Sequence, residues 1–354
     1  MPEGQDGISQ CRPRWLPRTS LVVLVLLFSP WALSEGADAF SEREIQAITD
    51  QAGQFSRLHS LLVVHRGETK VELVQGGPGL DRPANIKSLS KTILASLAGI
   101  AIDQGIVEGT DQALVDLLGG RVPESANSGV REITFGHGLS MQAGLESTSG
   151  ANYGRWVQSE DWVGHVLTRP LVSRPGSRMI YSTGTTHLVS ASLHEASGKT
   201  TWQLARNWLG EPLGINIPEW MADPQGIHFG GNEMELSPRA IARFGEAWRK
   251  GGSMGGRQII PAGWIEQSWQ PRGRSPWTGD DYGYGWFITE LGGKTVYYGR
   301  GFGGQMLYVV PDSELTIVIT SDPNPPSPGG GYFRQLGRMV GNLIIPVSGN
   351  RSGD

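Results

Sequence analysis

The chain has 354 residues, 38% hydrophobic and 18% charged, with 30 Lys and Arg against 34 Asp and Glu. That length supports a large core as one domain or two lobes, and a net charge of −4 gives no basic footprint for nucleic acid. The 51 glycines follow no repeat, and the single cysteine, Cys11, precedes the first apolar run, so the remainder of the chain has no disulfide, thiolate nucleophile or Cys-based zinc site.

Residues 1–39 read as a secretory signal. Arg12, Arg14 and Arg18 precede the apolar run Leu21 to Phe28, and Pro30 interrupts the chain just after it. Even counted to Leu33, the run falls short of the roughly 20 residues of a membrane span. Small residues come next at signal-peptidase spacing, at Ala32-Leu33-Ser34 or Ala37-Asp38-Ala39. The expectation is export to periplasm or medium, no lasting membrane span, and one domain over residues 40–354.

Ser41 to about Phe55 has an amphipathic helical pattern. Ser60 to His65 and Lys70 to Val74 read as strands joined by the hairpin signal Arg66-Gly67-Glu68. A long apolar helix is predicted from Ser88 to about Gln104, and its first residues form an S-x-x-K tetrad, Ser88-Leu89-Ser90-Lys91. Positions three apart share a helix face, about 5–6 Å apart at Cβ, so Ser88 and Lys91 can meet without help from the rest of the fold. A serine hydroxyl needs a neighbouring base to act as a nucleophile, and a lysine amine is a base only where desolvation or nearby cations keep it neutral. The helix N-terminus beneath Ser88 supplies free N–H groups that favour developing negative charge.

From about residue 100 to 250 the pattern is mostly helical with Pro and Gly breaks, as in Trp202 to Leu209 and Pro238 to Arg249. Within it, Pro175-Gly176 turns the chain into Tyr181-Ser182-Thr183-Gly184, followed by a helix from Thr186 to about Ser197. A tyrosine near a lysine could take the serine proton or pass one to a leaving group. Strand signals return over Tyr282 to Thr289, Thr295 to Tyr298, Gln305 to Val310 and Leu315 to Thr320, before a final helix from about Tyr332 to Ile344. The stretch Tyr298-Gly299-Arg300-Gly301-Phe302-Gly303-Gly304-Gln305 precedes a strand, where glycines allow a ligand close to the backbone. The simplest architecture is an antiparallel sheet built from both parts of the chain, flanked by helices, with a helical lobe between.

Other signals read as structural. Gly251-Gly252-Ser253-Met254-Gly255 matches G-x-S-x-G but comes after a helix rather than a strand, so it reads as a turn. His187 and His194 lie two turns apart, too far to share a metal, and read as helix-surface or packing residues; His137 reads as structural. The aromatic-rich region Trp264 to Trp277 reads as pocket lining or as core and lid packing.

Together and in this order, the three motifs resemble the serine β-lactamase and penicillin-binding superfamily. The likeness is greatest to the class C β-lactamase and DD-carboxypeptidase-like branch, with its esterases and 6-aminohexanoate-oligomer hydrolases. It extends from about residue 55 to 345, supported by Ile133 to Leu145, Glu211 to Ile215 and Tyr282 to Trp286. The resemblance implies an α/β (α+β) fold of β-lactamase/transpeptidase type with its active site in the cleft between sheet and helical lobe. It implies Ser88 as the acylated nucleophile, Lys91 as its activator and Tyr181 as a partner in proton transfer. The backbone N–H groups of Ser88 and of a residue near Gly301 would form the oxyanion hole, with no metal or cofactor.

Two departures stand out. Thr183 replaces the Asn of the family's Y-x-N motif, which shortens a group that recognises substrate amides. The third motif lacks the family's Lys or His before x-Gly; Tyr298 or Gly299 falls there, with Arg300 adjacent as a possible carboxylate ligand. Thr183, Tyr298 and Arg300 are therefore candidate substrate-binding residues, for a small-molecule ester or amide. The rival activities are a DD-peptidase or β-lactamase, and a catalytically silent binding protein on the same scaffold.

Overall fold

The computed structural model describes residues 40–324 and 326–349. The signal-like run and Cys11 lie outside the described residues. Ser41 caps the first helix, α1 (Glu42–Gly53), in a reciprocal capping box with Glu44. The strands β1 (Leu58–His65) and β2 (Glu68–Val74) form a hairpin, turned by Arg66 and Gly67 at φ of 56° and 86°.

Later strands complete the sheet: β5 (Gly273–Arg274), β6 (Asp281–Tyr282), β7 (Phe287–Leu291), β8 (Lys294–Gly301), β9 (Gln305–Val310) and β10 (Leu315–Ser321). A separate short ribbon pairs β3 (Ala84–Asn85) with β4 (Glu235–Leu236). The sheet has eight antiparallel strands in the order β2-β1-β10-β9-β8-β7-β6-β5. Its central strands are buried on both faces, so they read as continuous apolar runs rather than as an alternation. Leu61 and Val63 of β1 join one core with Ile48 and Ala52 of α1 and Leu336 of the C-terminal helix α5 (Gly329–Met339). Leu62 and Val64 join the other core, with the helices α2 (Ser90–Asp103), α3 (Thr183–Ser197) and α4 (Pro238–Arg249).

Several boundaries differ from those the sequence pattern predicts. The segment from residue 100 to 250 is only partly helical: between Leu213 and Glu235 no helix forms, and Gly214, Pro218, Pro224, Gly226, Gly230 and Gly231 interrupt that stretch. The run Tyr282 to Thr289 is broken into β6 and β7, because Gly285, at φ 75°, turns the chain onto α2, where a Cβ would lie 2.6 Å from that of Ala95. Conversely, β8 continues through Gly299 and Gly301 instead of stopping at Tyr298. The G-x-S-x-G stretch is a turn into a small hairpin, with the Ser253 hydroxyl donating to Gln258.

Glu246 ties α4 to the sheet. Its carboxylate accepts from Arg249 at 2.6 and 2.8 Å and from the Thr316 hydroxyl of β10 at 2.7 Å. Burial pushes its pKa up, but the hydrogen bonds from Arg249 and Thr316 outweigh burial and hold it below the ordinary 4.5. Such a group adds stability above its unfolded pKa and loses it as pH falls through the folded value. Glu246→Gln is therefore expected to cost about 2 kcal/mol near neutrality and to flatten the acid limb of stability measured by urea denaturation below pH 4.5. An acid limb as steep as in the unsubstituted protein would refute this role.

Candidate active site

The S-x-x-K tetrad spans a change of helix type. Ser88 lies in a short 3₁₀ turn, Lys87–Leu89, and regular α-helix begins only at Ser90. The residue before the serine, Lys87, has φ 51°, a strained value for a side chain with a Cβ. Surrounding bonds fix it there. The Lys87 N–H donates to the Asn85 side chain at 2.8 Å, and its ammonium pairs with Glu233 at 3.3 Å. Its carbonyl accepts from the Ser90 hydroxyl at 2.6 Å, and Ser90 in turn accepts from the Met234 N–H. The β3–β4 ribbon thus sets the turn that carries Ser88, whose side chain is only partly buried.

Lys91 lies beneath Ser88 and is buried at 3% exposure. Its Nζ is 3.1 Å from Ser88 Oγ, 3.4 Å from Thr183 Oγ1 and 2.7 Å from the Gly231 carbonyl oxygen. Burial pushes its pKa down; the neighbouring Tyr181 phenol opposes this but does not cancel it. A neutral amine in this position donates its two protons to Gly231 and Thr183 and presents its lone pair to the Ser88 hydroxyl. Gly231 makes this possible: at φ 83°, a Cβ there would lie 2.5 Å from Lys91 Cγ.

Tyr181 completes the group, with its ring centre 4.9 Å from Lys91 Nζ. A strap of three hydroxyl residues holds it. Ser147 donates to the Tyr181 carbonyl at 2.6 Å, Thr148 accepts from the Gly184 N–H at 2.9 Å, and Ser149 accepts from the Thr183 N–H at 2.9 Å. The Thr183 hydroxyl is engaged within the protein, by Lys91 and by Ser149 at 3.0 Å. Thr183 therefore stands at the site but supports Lys91 rather than facing solvent.

The third motif divides across the sheet. Gly299 and Gly301 face the Ser88 turn: a Cβ on Gly299 would lie 2.4 Å from Leu89, and one on Gly301 would lie 2.2 Å from the Ile86 carbonyl oxygen. The pairing of β8 with β7 ends at Tyr298–Phe287, so the Gly299–Gly301 edge continues past its neighbour beside the serine turn. Tyr298 and Arg300 project to the other face. Tyr298 is buried, stacked on Phe287, and donates to Asp280 at 2.6 Å; burial and Asp280 push its pKa far up. The Arg300 guanidinium lies 4.3 Å from the centre of the Phe333 ring on α5. The structure does not bring these two candidates to Ser88, because side chains alternate along a strand.

A buried pair that sequence reasoning missed lies behind Lys91. His187, expected on a helix surface or in packing, is fully buried on α3, with Nε2 2.9 Å from Asp223. Its Nδ1 accepts from the Gly230 N–H at 3.3 Å, and the Thr186 hydroxyl donates to the Gly230 carbonyl at 2.7 Å. Burial raises the Asp223 pKa, but His187 and the amides of Ile227 and Gln225 lower it further, to below its ordinary value. The pair thus fixes the loop whose next carbonyl, Gly231, holds Lys91. Among the described residues, no cluster of three or more His, Cys, Asp or Glu side chains is placed to hold a metal, and no helix is long and apolar enough to cross a membrane.

A serine in a turn leading into a helix, a buried lysine beside it, a tyrosine over that lysine and a glycine strand facing the turn make up the site, and the family model described as Beta-lactamase matches residues 58–336. The chain belongs to the beta-lactamase family and is a serine hydrolase by class. No curated protein matches it. Among solved structures it is similar to EstCE1, a hydrolase with promiscuous acyltransferase activity, at 19% identity and a TM-score of 0.68 over 84% of this chain and 97% of that one. A family VIII carboxylesterase is similar at 17% identity and a TM-score of 0.66, over 86% and 97% of the two chains. A candidate 6-aminohexanoate-dimer hydrolase from Bacillus anthracis is similar at 19% identity and a TM-score of 0.67, over 86% and 81%. At these identities the likeness establishes the β-lactamase/transpeptidase-like fold.

Proposed function

We propose that the protein is exported by its N-terminal signal and hydrolyses an ester or small amide through an acyl-enzyme on Ser88. The observation that carries this reading is the buried Lys91 amine, 3.1 Å from Ser88 Oγ and desolvated toward its neutral form. Ser88 Oγ attacks the substrate carbonyl carbon as its proton passes to Lys91. Tyr181 relays that proton to the leaving oxygen or nitrogen as its bond to the acyl carbon breaks. Water then adds to the acyl carbon, its proton returns to Ser88 through the same groups, and the acid leaves. The N–H of Ser88, at a helix start without intrahelical acceptors, and an N–H near Gly301 on the strand edge support the oxyanion.

The position of Arg300 favours an ester or small amide over a β-lactam: stacked on Phe333, it is unavailable to a carboxylate beside Ser88. The carboxylesterase and 6-aminohexanoate-dimer hydrolase names among the similar structures agree in chemical class. The test is labelling with a fluorophosphonate, then mass spectrometry. One adduct on the peptide holding Ser88, with turnover of p-nitrophenyl acetate lost in proportion, is the expected result. A labelled peptide elsewhere, or full activity with Ser88 modified, refutes the assignment. Turnover of a chromogenic cephalosporin in preference to the ester would favour the β-lactamase rival instead.

A further inference from the structure

The hairpin between β5 and β6 carries Trp277 to the mouth of the site. Trp277 is 70% exposed, the most exposed large apolar side chain among the described residues. Its ring meets that of Tyr181 edge-on, with centres 5.9 Å apart and planes at 79°. The hairpin is braced from within: the Ser275 N–H donates to the Asp280 carbonyl at 2.8 Å, and Arg274 Nε donates to the Gly279 carbonyl at 2.7 Å. Asp280 is anchored in turn by the hydroxyls of Tyr298 at 2.6 Å and Thr289 at 2.8 Å. A rigid tip therefore holds an indole in water, where its apolar surface gains free energy only when something covers it.

Tyr181 identifies what covers it. The proposed chemistry gives Tyr181 the proton for the departing atom, so a group packed against Trp277 belongs to the leaving half of the substrate. The two rings form an aromatic corner, which suits a flat ring in edge-to-face or offset contact. We propose that Trp277 is a specificity-determining residue of the leaving-group subsite, selecting substrates whose alcohol or amine carries an aromatic ring. This inference rests on the acyl-enzyme reading of Ser88 and Tyr181.

The experiment compares kcat/KM for benzyl acetate and ethyl acetate, which share an acyl group and have unactivated alcohols, with cyclohexylmethyl acetate as the saturated control. The unsubstituted protein is expected to prefer the benzyl ester over both. Trp277→Ala should reduce the benzyl-to-ethyl ratio about fivefold, the size of an aromatic pairing, and Trp277→Phe should keep most of it. A ratio unchanged by Trp277→Ala, or no benzyl preference at the outset, overturns the subsite alone, provided turnover still requires Ser88. Turnover that persists in Ser88→Ala, or is absent for all three esters, overturns the acyl-enzyme reading as well.

Discussion

Lys91→Met is expected to lower kcat/KM for p-nitrophenyl acetate by about a thousandfold, the scale of losing a positioned general base. Methionine matches the length of the lysine stem, so the cavity remains filled while the amine disappears. The amine is fully buried and its pKa is pushed down by that burial. Removing it spares the protein the burial of a polar amine, which offsets the donor lost to the Gly231 carbonyl. The melting temperature should therefore stay within roughly 4 °C of the unsubstituted protein.

The pH profile separates base catalysis from mere charge. A lysine whose folded pKa is lowered is protonated below that value and neutral above it, so only the higher-pH form can accept the serine proton. Unsubstituted kcat/KM should climb as pH rises through a value below the ordinary 10.5, and the residual activity of Lys91→Met should lack that limb. Lys91→Arg keeps the cation but no accessible lone pair, and should be as inactive as Lys91→Met. Rescue by arginine would show that charge alone matters and would remove Lys91 as the base.

Gly301→Ala is expected to cut kcat about a hundredfold with little change in KM. The added Cβ would lie 2.2 Å from the Ile86 carbonyl oxygen, which belongs to the backbone leading into the Ser88 turn. Neither side can yield by rotating a side chain, so β8 and the turn must separate by about an ångström, and displacements of that size carry rate losses of about this order. Gly337→Ala on α5 is the control, because a Cβ there meets nothing within 4 Å. Undiminished kcat in Gly301→Ala would mean that the strand edge supplies no oxyanion donor.

The pairing of Ser88 with Lys91 was legible because it is local: three residues of helical spacing bring the two together before any tertiary contact forms. The central strands were legible for a related reason, since largely apolar runs such as Gln305 to Val310 and Leu315 to Thr320 admit few other structures. What holds Lys91 in place was not legible. The Gly231 carbonyl, the Asp223–His187 pair and the Ser147–Ser149 strap reach across tens of residues, and nothing in their local spacing announces those partners. The adjacent glycines Gly230 and Gly231 were the available signal, marking a close backbone approach. Grouping Arg300 and Tyr298 with the Gly301 site overlooked the two-residue period of a strand, which places those side chains opposite the glycines. Lys87 was also hidden, since its φ of 51° comes from the fit of the β3–β4 ribbon rather than from any preference of lysine.

The interleaving of the sheet has a consequence for the order of events during synthesis. β1 pairs on one side with its own hairpin partner and on the other with β10, which the ribosome makes last among the strands. Ser88 and Lys91 emerge early and can form their helix at once, yet the Gly301 edge arrives only with the final strands. A growing chain thus carries Ser88 and Lys91 long before it carries the strand opposite them, and the first hairpin waits with one side unpaired. On the proposed acyl-enzyme chemistry, reactivity toward esters should accordingly switch on at the end of translation or refolding, together with closure of the sheet, rather than accumulate as helices form.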